Sequence, residues 1–366
     1  MNVALVHDWL TGMRGGEKCL EVLCELYPDA PIYTLLHNSG AMSPVIESKK
    51  IITSFIDTLP GKESKYRSYL PLFPAAIERF DFAPYDLVIS TSHAVAKGAK
   101  VRNNALHICY CHTPMRYVWE MYDEYFGKEK AGIIVRTAMN IVRPFLQRWD
   151  ARTADRVHYY IANSENVRKR IQRYYHREAD VIFPPVDTDL FILSTKDQGY
   201  YLMVTALVPY KRVDLAIHTF NKFGKRLLIV GKGTETEKLK SMAASNIEFL
   251  GWRSDAELAQ LYGECKALIF PGEEDFGIVP LEAMACGKPV VAYGKGGALE
   301  TVLDGKTGFF FYEQTVEALL SAIQKTETTV FNHDAIRTHS LNFARPAFKQ
   351  KMKQFIEQKV QQHLFR

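Results

Sequence analysis

The 366 residues suffice for two domains of ordinary size, and the 47% hydrophobic and 24% charged content is typical of a globular protein. The sequence has no apolar run of about 18 residues and no basic segment before its first strand, so we expect neither a transmembrane helix nor a secretory leader. The net charge of +5 is compatible with an anionic small ligand or a membrane surface, whereas the scattered aromatic residues argue against nucleic acid. All six cysteines lie in apolar surroundings, which predicts reduced thiols and a cytoplasmic location.

The chain begins with a predicted strand over residues 2–9, the loop TGMRGG, and a helix over residues 17–26. A strand, a glycine-rich turn and a helix together form a unit that binds phosphate groups. Gly15 and Gly16 are therefore candidate ligand contacts, although they could also form only a tight turn. The glycine spacing departs from G-x-G-x-x-G, which argues against a nicotinamide-dependent oxidoreductase.

Apolar runs continue to alternate with helical patterns up to a Pro-Pro pair at residues 184 and 185, which we interpret as the hinge between two domains. Strands are predicted over residues 31–37, 51–56, 86–91, 105–112, 157–164 and 181–187. Helices are predicted over residues 131–156 and 165–176, and residues 59–80 are predicted to form a loop and a helix. Pro144 is expected to kink or divide the helical region 131–156.

The stretch CHTPMRYVW, residues 111–119, contains one histidine, His112, at the end of a predicted strand. Most isolated histidines are structural, but His112 is followed closely by Arg116 and by aromatic residues, which favours a ligand contact. Cys109, Cys111 and His112 lack a second pair of metal ligands, so no metal site is predicted.

The second half repeats the alternation and predicts a second α/β domain. Strands are expected over residues 201–207, 226–230, 247–250, 267–270, 289–293 and 308–311, and helices over 213–223, 255–264, 315–325 and 346–363. Ser254 and Glu257 have the spacing of a capping box for the helix 255–264.

The stretch PGEEDFGIVPLEAMACGKP, residues 271–289, combines an acidic turn with a helix that contains a proline in its first turn. Glu274 is predicted in the loop and Glu282 in the first helical turn, at the strand end where open α/β sheets bind ligands. Helix N-termini favour anions, so a ligand with both phosphate and hydroxyl groups fits. Glu282 could also be a helix-capping residue, and Glu273 and Asp275 are interpreted as solvated loop charges.

Lys211 and Arg212 precede the predicted helix 213–223. Cations at a helix N-terminus are disfavoured by the helix dipole, so their presence favours an anionic ligand. The alternative is that both are solvated residues.

These stretches, with IANSENVRKRI, VIFPPVDTD and LVPYKRVDLAI, resemble the retaining glycosyltransferases of family 4, which have the GT-B fold. The match is best with bacterial mannosyltransferases that use GDP-mannose. The resemblance implies two Rossmann-like domains facing across a cleft: residues 1–190 for the acceptor, joined by a crossing helix 346–366, and residues 191–345 for the nucleotide-sugar donor.

The resemblance also implies roles for individual residues. Glu274 and His112 would contact the transferred sugar, Glu282 the ribose, and Lys211 and Arg212 the diphosphate. Other substrate contacts implied are Gly15, Gly16, Arg116, Ser164, Phe276, Gly277, Ile278 and Val279, with no metal and no cofactor. One departure is Ala206, where many relatives have an arginine. A non-catalytic sugar-nucleotide-binding protein, an epimerase and a phosphorylase are the rival interpretations, and the short chain argues against the last.

Two segments of the first domain combine apolar and basic residues, as interfacial membrane contacts do. The first contains Ile133, Ile134, Met139, Val142, Phe145 and Leu146 among Arg136, Arg143, Arg148 and Arg152, and the second, residues 66–73, lies beside Lys62, Lys65 and Arg67. We expect weak docking on the inner membrane face, where a lipid-linked acceptor would be found. The alternative is that the apolar residues form the domain core.

Overall fold

The structure is a computed structural model that describes residues 1–127 and 132–364, without the side chains of Ser64, Lys65, Glu124, Tyr125 and Ile134. The chain forms two compact units, Met1–Pro185 with Phe348–Arg366, and Val186–Ala347. Each unit is built around one parallel sheet. The predicted class, two Rossmann-like α/β domains, is therefore confirmed.

The first unit's sheet consists, among the described residues, of parallel strands in the order β3-β2-β1-β4-β5-β6-β7. They are β1 (Val3–His7), β2 (Ile32–Thr34), β3 (Ile51–Thr53), β4 (Leu87–Ser92), β5 (Leu106–Cys111), β6 (Tyr159–Ala162) and β7 (Ala179–Val181). Strands β4 and β5 are buried along their whole length, as expected for a parallel sheet covered on both faces. The strand predicted over 181–187 instead ends at Val181, because the following prolines cannot donate to a sheet.

Helices cover the faces of this sheet. They are α1 (Gly15–Leu26), α2 (Pro44–Glu47), α3 (Lys62–Lys65), α4 (Phe73–Ile77), α5 (Tyr122–Phe126), α6 (Ile133–Thr153) and α7 (Glu165–Tyr175), with 3-10 turns at Phe55–Thr58, Tyr66–Leu72, Ala96–Gly98 and Ala154–Arg156. Helix α6 continues through Pro144, so the predicted division is wrong. Pro144 is exposed, which leaves room for water to bind the carbonyl that loses its intrahelical partner. Residue 131, the predicted start, lies outside the described residues.

The second unit's sheet has the order β10-β9-β8-β11-β12-β13 in the described chain. Its strands are β8 (Tyr200–Val204), β9 (Arg226–Val230), β10 (Ile247–Gly251), β11 (Ala267–Phe270), β12 (Val290–Tyr293) and β13 (Gly308–Phe311). Its helices are α8 (Val213–Phe223), α9 (Thr236–Met242), α10 (Asp255–Glu264), α11 (Ile278–Ala285), α12 (Ala298–Thr301), α13 (Val316–Thr328) and α14 (His333–Leu341), with a 3-10 turn at Pro209–Lys211. The predicted capping box of Ser254 and Glu257 is present, whereas α9 and α14 were not predicted.

The final helix, α15 (Arg345–Leu364), packs on the first unit, as the family resemblance implied. Phe348, Met352, Phe355 and Ile356 join the buried cluster that contains residues of β1, β4 and β5. The Phe348 ring contacts the Tyr110 ring edge-on, with 5.6 Å between the centroids. The chain therefore returns to the first sheet after completing the second.

A buried ion pair connects α6 to the 3-10 turn that follows β4. Lys97 Nζ lies 3.1 Å from Asp150 Oδ1, and neither side chain is more than 1% exposed. Asp150 Oδ2 accepts hydrogen bonds from Trp119 Nε1 at 2.8 Å and from the Tyr175 hydroxyl at 3.0 Å. This network holds Trp119, the last residue of CHTPMRYVW, against α6 and α7.

His107 of β5 is a second buried polar group. Its Nδ1–H donates to the Arg156 carbonyl at 3.2 Å, so in the neutral ring Nε2 accepts from the Ser90 hydroxyl at 2.8 Å. Burial lowers the pKa of His107 to about 3. The ring is therefore neutral in the folded protein at ordinary pH.

Candidate functional site

The second unit brings Lys211 and Glu274 into an ion pair at the carboxyl ends of the neighbouring strands β8 and β11. Their side chains are 12% and 24% exposed, so both remain accessible from a small pocket. The pocket is lined by Met203, Val204, Thr205, Lys211, Ile269, Phe270, Pro271, Gly272 and Glu274. An ammonium group and a carboxylate thus share one cavity at the ligand-binding edge of an open α/β sheet.

The acidic turn before α11 is held by close backbone packing. The Gly297 amide donates to the Glu274 carbonyl at 2.9 Å, and a Cβ on Gly297 would lie 2.2 Å from Phe276 Cα. Glu273 forms an ion pair with Lys295 at 3.0 Å. Asp275 is only 6% exposed, so its interpretation as a solvated charge is wrong.

Helix α11 begins at Ile278, and no side chain caps its first turn. Its first amides, including that of Val279, therefore have no intrahelical partner and are available to a ligand or to water. Glu282 lies in the second turn rather than the first, because the helix starts two residues before Pro280. The Tyr262 hydroxyl donates to Glu282 Oε2 at 2.9 Å, which connects this carboxylate to α10. Burial raises the pKa of Tyr262 well above its usual range, so the phenol remains a donor.

Arg212 has an unusual backbone conformation at the start of α8, with φ 53° and ψ 41°. Its Nε and Nη2 donate to the two carboxylate oxygens of Asp214 at 3.2 and 3.3 Å. Its Nη1 donates to Gln314 Oε1 at 2.8 Å. Lys211 and Arg212, adjacent in sequence, therefore contact different groups.

In the first unit, Gly15 and Gly16 form the first turn of α1, which starts earlier than predicted. Arg14, the residue before the helix, makes no side-chain capping bond, so these amides are available at the N-terminus. A Cβ on Gly16 would lie 3.4 Å from His112 Nε2. Glycine therefore permits the close approach of α1 to the end of β5.

His112 has its Nε2 buried, with no hydrogen-bond partner among the described residues. Burial, together with the nearby His93 and His7, holds the pKa of His112 well below its usual range. The ring is accordingly a neutral imidazole near the first turn of α1. A neutral imidazole can exchange hydrogen bonds with hydroxyl groups.

Sequence reasoning missed a buried polar group at the end of β1. His7 Nδ1 lies 2.7 Å from the Thr91 hydroxyl, and His7 Nε2 lies 3.6 Å from Glu17 Oε1. Burial raises the pKa of Glu17, but the hydrogen bond and the field of His7 outweigh burial, and the pKa lies below its usual value. The Asp8 carboxylate accepts hydrogen bonds from four backbone amides of the segment after β4, at 2.6 to 2.9 Å. The adjacent His-Asp at the end of an apolar strand was the available signal.

Two other predicted contacts have structural partners. The Ser164 hydroxyl, at the end of β6, accepts from the Val167 amide at 3.0 Å and so caps α7. Arg116 Nη1 lies 3.8 Å from the Met121 sulfur. Phe276 is buried, and Gly277 precedes α11. The predicted residues thus form two groups, one in each unit. Ser164 follows β6, which is the neighbour of β5, the strand that His112 follows.

The exposed face of α6 differs from the one predicted. Met139 and Leu146 belong to the core of the first unit, and Val142 packs against them. Ile133, Ile141 and Phe145, by contrast, are 75%, 74% and 58% exposed. Arg148 and Arg152 are also exposed, whereas Arg143 donates to the Val118 carbonyl at 2.9 Å. The apolar residues of this helix therefore divide between core and surface.

The segment 66–73 is mostly core, because Tyr66, Leu70 and Phe73 are buried. Lys62 Nζ forms an ion pair with Asp57 Oδ1 at 2.6 Å. The side chains of Lys65 and Ile134 are not among those that the structure describes. Within the described chain, no helix has the length and apolar character that crossing a bilayer requires.

The sequence matches two glycosyltransferase domain families in succession. Residues 21–190 match the family described as Glycosyltransferase Family 4, and residues 187–332 match Glycosyl transferases group 1. An uncharacterised glycosyltransferase of Methanocaldococcus jannaschii is 32% identical over 153 residues, 40% of this chain and 43% of that protein. A GDP-mannose-dependent alpha-(1-6)-phosphatidylinositol monomannoside mannosyltransferase of Mycolicibacterium smegmatis is 34% identical over 170 residues, 38% of this chain and 44% of that protein.

The chain thus spans about two fifths of the length of these curated relatives. Among solved structures, Anabaena HepE in complex with UDP superposes with a TM-score of 0.72 at 19% identity, covering 98% of this chain and 100% of that chain. Residues 21–190 and 187–332 are thus similar to two glycosyltransferase families, and the fold is the GT-B fold of the matched structure.

Proposed function

We propose that this chain is a retaining, metal-independent glycosyltransferase that transfers a hexose, mannose from GDP-mannose, to a glycan or polyprenyl-linked acceptor in cell-surface polysaccharide synthesis. The observation that carries the proposal is the Lys211–Glu274 pair at the ligand-binding edge of the second sheet, inside the stretch matched to Glycosyl transferases group 1. The similarity to a GDP-mannose-dependent relative supports mannose as the sugar.

The donor would bind to the domain of residues 191–345. Lys211 would neutralise the diphosphate, and Arg212 would add positive potential beside it. The uncapped first turn of α11, at Ile278 and Val279, would supply backbone amides to the phosphates. Glu282, held by Tyr262, would accept hydrogen bonds from the ribose hydroxyls. Cationic side chains and helix amides would thus take the place of a metal ion.

The transfer would occur on one face of the sugar. The bond between the anomeric carbon and the diphosphate oxygen breaks while the acceptor oxygen bonds to that carbon from the same side, and the acceptor proton passes to the departing phosphate. Glu274 would stabilise the positive charge that develops at the anomeric carbon. His112, in the acceptor domain of residues 1–190, is neutral because of burial and would orient the sugar hydroxyls. Gly15, Gly16 and Arg116 would provide further contacts to the substrate.

The test is a panel of sugar nucleotides with the purified protein. GDP-mannose, GDP-glucose, UDP-glucose and UDP-galactose are compared by thermal stabilisation and by nucleotide release, with and without EDTA. We expect stabilisation and EDTA-resistant release with GDP-mannose. Selectivity for a UDP-sugar would overturn the donor assignment, and absence of binding to every sugar nucleotide would overturn the function. Product NMR would establish the anomeric configuration.

A second function is favoured by one residue. Ala206, two residues after β8, provides no cation where the phosphate contacts are proposed. A protein that binds sugar nucleotides without turning them over could tolerate that loss. Thermal stabilisation by a donor, without nucleotide release in the presence of any glycan or polyprenyl phosphate acceptor, would support this alternative.

The exposed face of α6 supports docking on an anionic membrane. Ile133, Ile141 and Phe145 are exposed on one helix with Arg148 and Arg152. Apolar side chains beside basic ones are typical of interfacial helices, and each basic residue near an anionic surface contributes about 1 kcal/mol. The protein would thereby be cytoplasmic but peripheral on the inner membrane face.

Flotation with liposomes tests this docking. We expect binding to phosphatidylglycerol-containing vesicles at low salt, weaker binding at high salt, and loss in an Ile141→Ser, Phe145→Ser variant. Val330→Ser is the matched control, because Val330 is 99% exposed but lies in the second unit. Equal flotation of all variants, or none at low salt, would refute the membrane contact.

A further inference from the structure

Arg212 adopts the left-handed backbone conformation, with φ 53° and ψ 41°. Among the described non-glycine residues, only Arg212 and His176 have positive φ. Glycine adopts this conformation without steric cost, whereas a residue with a Cβ is strained. A strained residue is retained where its side chain has a use, so the contacts of the guanidinium indicate what Arg212 does.

Those contacts lead away from the pocket. The guanidinium binds both oxygens of Asp214 and, through Nη1, the Gln314 Oε1 atom at 2.8 Å. The Gln314 amide in turn donates through Nε2 to the Pro271 carbonyl at 2.9 Å. Arg212 thus fastens three segments to one another: the one after β8, the one after β11 and the one after β13.

The Pro271 carbonyl belongs to the loop that carries Glu274. Pro271 follows β11 directly, and only Gly272 and Glu273 separate it from Glu274. Gly272 also packs on the backbone of Lys211, because a Cβ on Gly272 would lie 2.9 Å from Lys211 Cα. A displacement of Pro271 therefore changes the position of Glu274 relative to Lys211.

We propose that Arg212 is a positioning residue which acts through Gln314 and the Pro271 carbonyl to hold Glu274 in its place. This inference rests on the proposed function, and it assigns to Arg212 a role different from direct binding of the diphosphate. A phosphate could occupy the Nε–Nη2 edge of the guanidinium only by displacing the carboxylate of Asp214, which accepts two hydrogen bonds there. Lys211 then remains the cation that faces the donor.

Two variants separate the steps of this connection. Arg212→Gly removes the guanidinium and also the backbone strain, so the melting temperature should stay within about 2–4 °C of wild type. Gln314→Glu keeps an acceptor for Arg212 but replaces the donor to the Pro271 carbonyl with an oxygen that repels it. Lys222→Ala is the matched control, because Lys222 connects the same helices, α8 and α13, by an exposed pair with Glu317 at 3.2 Å.

The first measurement is amide hydrogen exchange of residues 272–277, which does not depend on activity. We expect faster exchange in Arg212→Gly and Gln314→Glu than in wild type, with Lys222→Ala unchanged. Unchanged exchange in both variants would overturn the proposal, whether or not the protein transfers sugar.

The second measurement is steady-state transfer from the donor that stabilises the wild type. Misplacement of a reacting group by about 1 Å costs up to about 10²-fold in rate, so we expect kcat to fall about 10-fold or more in both variants, with the donor Kd nearly constant. The double variant should lose no more than either single one. A large rise in the donor Kd of Arg212→Gly alone, with kcat preserved, would instead identify Arg212 as a direct phosphate ligand. Failure of the wild type to bind any sugar nucleotide would refute the proposed function and leave the exchange result standing.

Discussion

Replacement of Glu274 by Gln tests the proposed chemistry directly, because it removes a charge and preserves the shape of the side chain. Glu274 is 24% exposed, so an effective dielectric constant of about 20 is appropriate for its interactions. A carboxylate about 4 Å from a full positive charge then contributes about 4 kcal/mol, and about 2 kcal/mol if half the charge has developed. Those energies correspond to rate losses of about 10³-fold and about 30-fold, so we expect kcat to fall by about 10²-fold.

Donor affinity should respond differently from kcat. Lys211 loses its anionic partner in Glu274→Gln and becomes freer to bind the diphosphate, so the donor Kd measured by calorimetry should stay constant or decrease. Glu273→Gln is the matched control, because Glu273 is the adjacent carboxylate and pairs with the exposed Lys295. Wild-type turnover in Glu274→Gln, or an equal loss in Glu273→Gln, would refute the reasoning.

Lys211→Ala should raise the donor Kd by about 10-fold or more, since a hydrogen bond to a charged group contributes about 1.5–3 kcal/mol, and calorimetry measures it. Ala206 is exposed, so Ala206→Arg should retain activity, and loss of activity in a transfer assay would show that the space is occupied differently. The pKa of His107 is lowered from 6.5 to about 3, so between these pH values the unfolded state binds a proton that the folded state does not. The free energy of unfolding therefore decreases as the pH is lowered from 6.5 towards 3. Urea unfolding should lose about 1.4 kcal/mol per pH unit in this range, and His107→Gln should flatten the dependence. Lys97→Met should destabilise the protein by about 3–5 kcal/mol, because it leaves the buried Asp150 charge unpaired; a smaller loss in chemical denaturation would contradict this.

Local sequence rules located most elements because each helix and strand here is encoded by its own hydrophobic pattern. The bounds of α8, β9, β11 and β13 agree with those predicted, since a glycine or proline follows each of the first three and Gly308 begins the fourth. Helix α9 was missed because it has no capping side chain and only one buried residue, and α14 was missed although Asn332 caps its first turn. Short polar helices are stabilised by the surface that they cover, which the local pattern does not reveal.

Burial was harder to predict than secondary structure. The helical pattern of α6 did not distinguish Met139, which is in the core, from Ile141, which is exposed, because both are apolar. Likewise Asp275 resembles its neighbours in the acidic turn, yet Asp275 is buried whereas Glu273 and Glu274 remain partly exposed. The burial of a residue depends on which other segment lies opposite, and that segment is distant in sequence.

The sequence by itself determined two α/β units with parallel sheets and the stretches that carry Glu274, Lys211 and His112, because strand ends, turns and helix starts are local properties. Only the tertiary structure decided the partners of those side chains. It paired Lys211 with Glu274 across 63 positions, directed Arg212 to Gln314 across 102, and placed His7 beside Glu17 beneath the first turn of α1. Such pairs depend on the order of strands in the sheet, which brings carboxyl ends together irrespective of their separation along the chain.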